Sequence, residues 1–514
     1  SQATLGGLKV ADVTAAFTRI FPTDSFQLVL FVPPDTHVKP ERLLSAYEKS
    51  SRRTLKKNTA QEDELHFRYE NFGPAGKIVK QERVDDLNLS LLVFENGVRL
   101  NLRPSSFEPG QFRLRIVFPY NLSDTPDDRP GIADLAGFLL LNSGLKKHKQ
   151  AELSRLLRLH DVKSGFVVNM GTPTLTLTGP ADELSFSLQY LTALLSDRDY
   201  HDDDEYYRVA LGNYSGLFNS MLNSAGGLAM RESLRIFSGD DRRTLLLNPR
   251  AFGNQDGLNQ SERWLRDHVL DGPLEVGLVG DFTPETAIQD AAATIGTLRA
   301  RKAAARHGRP LTLPRKASRG ESTENIAASA AFSCALWPVD FPNDPRHNAA
   351  LSLATEALQD QLLFVVREAL GATYSPQTRV HRDLIQPDFA YVSMVNTFDP
   401  ASARKYTEGS IRMAARMAEK GIGEDEFERI REPARTRNAQ HMRSNGWWLD
   451  NVVSLAQSRP DVIENARRHE KILDEVTIAD VNEAARVFKM DRITVIIVQP
   501  KSAQPDGKAA PKKK

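Results

Sequence analysis

The chain has 514 residues, of which 40% are hydrophobic and 26% charged, with a formal net charge of +1. That length allows two large domains or several small ones, and the near-neutral balance gives no global field for nucleic acid or acidic lipid. No apolar run reaches membrane-spanning length, and the single cysteine, Cys334, excludes an intramolecular disulfide and a cysteine-rich zinc module.

Residues 10–32 (VADVTAAFTRIFPTDSFQLVLFV) read as a helix capped by Asp12, a turn and an apolar β run. The same pattern returns at 478–498 (IADVNEAARVFKMDRITVIIV), opened by Asp480. Residues 1–35 are therefore expected to be the end of a unit whose complete copy closes the chain. The start at Ser1, without a signal-peptide pattern, is compatible with a mature, processed or trimmed chain. Residues 36–86 read as a connector with one helix near 40–50.

A unit over 87–300 follows. It opens with a hairpin at 89–102, where Asn96-Gly97 between apolar runs predicts a type I′ turn. Strands are expected at 112–118, 165–169 and 173–178, and helices at 131–142, 150–160, 181–196 and 203–222. Residues 274–285 (LEVGLVGDFTPE) give a strand, a turn and a helix starting after Thr283-Pro284. Residues 299–319 carry Arg299, Arg301, Lys302, Arg306, Arg309, Arg315, Lys316 and Arg319 and no acid. A nucleic-acid surface would interleave aromatics, so 301–324 is read as a solvated interdomain linker.

A second unit spans 325–501. Its strands are expected at 328–336, 373–381, 388–398 and 492–498, with a long helix at 346–369 and further helices to 488. Cys334 falls in the alternating run 331–336 and reads as a buried strand residue. Residues 502–514 form a Pro-, Ala- and Lys-rich tail expected to be disordered. Hairpins mixed with amphipathic helices, without strict β-α-β alternation, predict an α+β fold with mostly antiparallel sheets.

Phosphate-loop, dinucleotide-binding, H-E-x-x-H and G-x-S-x-G motifs are all absent. The histidines are scattered singly. His148 and His160 are too far apart for one helical face, and His469-Glu470 has no second His one turn on.

Six segments in order and spacing resemble the pitrilysin/insulinase zinc metallopeptidases, whose metal motif is H-x-x-E-H on a helix. They are FENGVRLNLRPSSFEPGQFRLRIVF (94–118), PGIADLAGFLLLNSG (130–144), TPTLTLTGPADEL (172–184), LEVGLVGDFTPE (274–285), VREALGATYSP (366–376) and RSNGWWLDNVVSLAQ (443–457). The resemblance covers nearly the whole chain. It implies two insulinase-type domains, 87–300 and 325–501, each a mostly antiparallel sheet packed with helices. They would be preceded by the tail of another such domain at 1–35.

In the family's zinc helix, His, Glu and His would stand where this chain has Asp134, Gly137 and Phe138. Both imidazoles and the general-base carboxylate are thus missing, and no cofactor is expected in this chain. Glu205, on the helix where the family's distal ligand would lie, reads as part of a solvated acidic run at a helix N-terminus. The resemblance is to the family's zinc-free C-terminal half or non-catalytic subunit. By that resemblance, zinc belongs to a partner half carrying H-x-x-E-H, in the same precursor or as a separate subunit. The two halves would enclose a chamber for short unfolded peptides, with Arg367 and Tyr374 of R-x6-Y contacting the substrate. Trp447 and Trp448 are expected to pack between helices or line a cavity. An inactive structural or peptide-binding scaffold with the same fold is the alternative. The resemblance makes a bacterial periplasmic location an expectation; the sequence itself leaves the compartment open.

Overall fold

The computed structural model describes residues 7–21, 29–30, 39–53, 65–199, 203–303, 308–309, 311, 316–324, 330–340, 342, 344–370, 376–382 and 389–501. The chain divides into two units, Ser1–Glu64 and Leu65–Lys514. The first contains the helices Val10–Ile20 and Pro40–Ser51. Asp12 sits in the first turn, not at the cap, and its carboxylate accepts from the backbone N–H of Lys9 at 2.8 Å. Asp480 does the same for Thr477 at 2.7 Å, with Thr477 as the actual cap. Both helices therefore begin earlier than an Asp cap would place them, and each Asp is the far arm of a capping box. Most of the apolar run ending at Val32, and the tail 502–514, lie outside the described residues.

Two sheets organise the second unit. One holds β1 (Ile78–Val84), β2 (Leu89–Phe94), β3 (Arg99–Pro104), β4 (Gln111–Val117), β5 (Lys163–Asn169), β6 (Thr172–Pro180) and β7 (Glu275–Gly280), in the order β1-β2-β3-β7-β4-β6-β5. The other holds β8 (Ser318–Glu324), β9 (Ala331–Pro338), β10 (Gln377–His381), β11 (Tyr391–Phe398) and β12 (Thr494–Pro500), in the order β10-β11-β9-β12-β8. Pairing is antiparallel except for β3 with β7 and β8 with β12. The fold is α+β, as the sequence predicts.

The β2–β3 connection differs from the expected type I′ turn. Gly97 has φ +84° but Asn96 is not left-handed, and Gly97 N–H donates to Phe94 O at 2.9 Å. This is a three-residue loop closed by a left-handed glycine. The Asn96 side chain bonds outside the turn, where its Nδ2 donates to the carbonyls of Ile295, Gly296 and Leu298, each at 3.0 Å. It fastens the hairpin to the segment that follows β7.

The polar strands β1 and β8, IVKQERV and SRGESTE, lack the apolar alternation by which a strand is predicted. Both lie at the outer edges of their sheets, where charge discourages further pairing. The basic stretch is also less solvated than composition implies. Arg301 donates to the carbonyls of Val269 and Gly272 at 2.7 Å, and burial lowers its guanidinium pKa to about 10. Lys302 pairs with Asp271 at 2.9 Å and Arg309 with Asp241 at 3.3 Å. Carbonyls hold Arg301, and acids distant in sequence pair with Lys302 and Arg309, in a run that contains no acid of its own.

Each half covers a sheet of the other. The helix Ala225–Phe237 lays Leu228, Ala229 and Phe237 against Cys334, Leu336, Ile496 and Val498 of the second sheet. In return, Trp448, Leu449, Val452 and Val453 pack on Leu89, Leu91 and Val279 of the first. The approach is close enough that a Cβ on Gly277 would meet Ser454 Cα at 2.8 Å. A buried polar knot seals it: Glu275 Oε1 accepts from Asn101 Nδ2 at 2.7 Å and from Gln457 N–H at 2.8 Å. Asn101 Nδ2 also donates to Val453 O at 2.8 Å. Among the described residues, no helix is long and apolar enough to cross a membrane.

Candidate functional site

The helix Ile132–Asn142 carries Asp134, Gly137 and Phe138, the three positions that the sequence resemblance sets against the metal motif. Its sequence IADLAGFLLLN is apolar nearly all round, and Ile132, Leu135, Ala136, Leu139 and Leu140 are buried. Gly131 enters it at φ +84°, with a virtual Cβ only 2.4 Å from the Tyr214 hydroxyl, so glycine is required there on both counts.

Asp134 lies in the first turn, and burial pushes its carboxyl up to about 7 against the opposing pull of a backbone N–H. Gly137 faces the Phe166 ring of β5: a Cβ there would sit 2.1 Å from Cδ1 and 2.9 Å from Cγ. The ring fills the space that any side chain at this position would need. Phe138 packs against the first core. One carboxylate, one hydrogen and one phenyl ring do not make a zinc site, since zinc requires three or four N, O or S ligands. Among the described residues no three His, Cys, Asp or Glu side chains gather as a metal site would. Glu205 is exposed on the helix Asp203–Leu222.

Arg367 lies within the helix Pro345–Leu370, and its side chain and the whole of Tyr374 fall outside the described residues. The chain returns to that helix just afterwards. Gln359 Nε2 donates to Pro376 O at 2.6 Å and Gln359 Oε1 accepts from Thr378 N–H at 2.7 Å. Pro376 and Thr378 are thus fastened to that same helix.

The two tryptophans differ in their surroundings. Trp448 is buried, donates its indole N–H to Met442 O at 2.8 Å, and carries the Arg103 guanidinium 3.8 Å above its ring. Trp447 instead lies against His469, ring centroids 4.6 Å apart, on the wall of a cavity of about 490 Å3. Burial, reinforced by Arg382, drops the His469 pKa to about 4, so the imidazole is neutral. His469 Nε2 and Asn348 Oδ1 have no hydrogen-bond partner among the described residues. Beyond the expectation for Trp447, no sequence pattern marks this cavity, because its walls come from helices far apart in the chain.

Residues 259–433 match the family profile described as "Peptidase M16 inactive domain". That stretch is similar to the inactive domain of the M16 peptidases. The likeness of fold extends well beyond the matched stretch. The periplasmic protease PqqL from Escherichia coli superposes with TM-score 0.68 at 16% identity, over 90% of this chain and 51% of PqqL. An M16 inactive domain from Pseudomonas fluorescens gives 0.67 at 16%, over 80% of this chain and 98% of that one. Pitrilysin gives 0.60 at 12%, over 84% and 47%. The chain therefore spans about half the length of PqqL and of pitrilysin. No curated protein matches its sequence.

Proposed function

We propose that this chain is the substrate-binding, non-catalytic half of a two-part zinc metallopeptidase that cleaves short unfolded peptides in an enclosed chamber. The observation that carries this is the match of residues 259–433 to the inactive-domain profile; in keeping with it, Phe166 fills the space that any side chain at position 137 would need. A partner half bearing H-x-x-E-H would supply zinc and the polarised water. Arg367 and Tyr374 would reach the peptide as cation and phenol donors that hold a carbonyl and its developing oxyanion. Residues 1–35, whose pattern repeats at 478–498, would be the end of a preceding domain of the same kind.

Reconstitution tests the proposal. The chain alone should cleave no fluorogenic peptide, and adding the catalytic half should produce turnover. Arg367→Ala and Tyr374→Ala should each lower kcat by roughly ten- to a thousandfold without preventing association. An inert mixture would favour the scaffold reading instead, and full turnover by both variants would take the substrate-holding role from Arg367 and Tyr374.

A further inference from the structure

The helix Ile132–Asn142, the β5–β6 turn, the helix Ala225–Phe237 and the segment around β10 and β11 enclose a cavity of about 400 Å3. Its volume lies in the range of small-molecule sites, roughly 300–1,000 Å3. Met170, Met230, Leu234 and Phe389 give it an apolar interior. Asp134 opens onto it.

The polar groups around this carboxylate are committed elsewhere. Tyr120 donates its hydroxyl to Thr125 Oγ1 at 3.0 Å and Tyr214 donates to Leu247 O at 2.8 Å. Arg243 on the wall is held by Asp241, with Nε–Oδ1 2.9 Å and Nη2–Oδ2 2.6 Å, and donates to Arg309 O at 2.6 Å. His381 stacks on Tyr391 at 4.5 Å and shares a 2.8 Å hydrogen bond with Ser393 Oγ. Burial and Arg379 lower its pKa to about 4, so it brings no positive charge. Among the described residues, Asp134 has no ion pair or hydrogen bond to another side chain.

An ionised carboxylate at the rim of an apolar cavity is stabilised by a cation that enters with its own apolar body. We propose that this cavity binds a primary ammonium carried on an apolar group, with Asp134 as its counter-ion. The ammonium donates to Asp134, and the apolar part lies among Met170, Met230, Leu234 and Phe389, where thioethers pack well on an aromatic group. A free arylalkylamine and the first residue of a peptide share this chemistry.

Calorimetric titration of the full chain at pH 8 tests it. Phenethylamine and Phe-Ala-Ala-amide are the two probes, and 2-phenylethanol and the N-acetylated peptide are the uncharged controls. At least one probe should bind saturably. Asp134→Asn should weaken that probe at least tenfold while leaving 2-phenylethanol unchanged. Leu234→Trp, which fills the cavity and leaves the carboxylate in place, should abolish binding. Binding of phenethylamine alone identifies a free amine, and binding of the tripeptide identifies a peptide N-terminus; either upholds the site. Failure of both probes to bind, or a loss of less than twofold in Asp134→Asn, overturns it.

Discussion

Gly137 shows how completely a neighbouring ring can close a position against any side chain. Alanine in a helix interior is ordinarily favoured over glycine by about 1 kcal/mol. Here its Cβ would enter the Phe166 ring. Gly137→Ala should therefore destabilise the chain by about 1–3 kcal/mol. Phe166→Ala in the same molecule should recover much of that loss in urea denaturation, a non-additivity expected only of residues in contact. Asp134 makes a second prediction. Its folded pKa, about 7, stands above the ordinary value of 3.8 because of burial, with the Tyr120 and Tyr214 phenols nearby. The folded state then holds more protons than the unfolded one between those values, so stability falls as pH rises through that window. Asp134→Asn should match the parent near pH 4 and exceed it by about 2 kcal/mol at pH 8. One unit is worth about 1.4 kcal/mol, and solvent reaching the cavity-facing oxygen screens part of it. A stability difference that does not change with pH would contradict the assignment.

Elements with strong patterns were legible. The apolar runs of β2, β3 and β7 and the long helix Pro345–Leu370 lie within a residue or two of where periodicity puts them. The polar edge strands β1 and β8 were not, because their place in a sheet is set by the partner strand and not by their own side chains. The identities of Asp134, Gly137 and Phe138 could be read from sequence, but the space around them could not. Phe166 closes on Gly137 only once β5 has paired, and the cavity beside Asp134 borrows His381, Phe389 and Tyr391 from the far half of the chain. Asn-Gly marks the turn correctly but not its type, since the asparagine's bonds are tertiary. Asn96→Ala should accordingly cost about 1.5–3 kcal/mol, more than a solvent-exposed turn position would, by leaving buried carbonyls unmatched. Chemical denaturation of that single variant decides the point.

For the whole molecule, the exchange of covering helices matters more than the boundary at 301–324. Residues 65–309 alone would lack Trp448, Leu449, Val452 and Val453 over the first sheet. Residues 316–501 alone would lack Leu228, Ala229 and Phe237 over the second. Each fragment should bind a hydrophobic dye and melt without a cooperative transition, and the two should co-purify when expressed together. Cooperative melting of either fragment by itself would show that the exchange is dispensable.

The same exchange governs how the protein can be made. A ribosome finishes the last strand of the first sheet at Gly280 long before it reaches Trp448. The first sheet must wait with Leu89, Leu91 and Val279 uncovered while most of the second half is still being synthesised. Meanwhile the helix Ala225–Phe237 has emerged and has no sheet to sit on. Vectorial synthesis usually lets an N-terminal domain fold before its successor appears. In this chain neither half can finish first, and its nascent form is a natural client for whatever shields apolar surface at the ribosome exit.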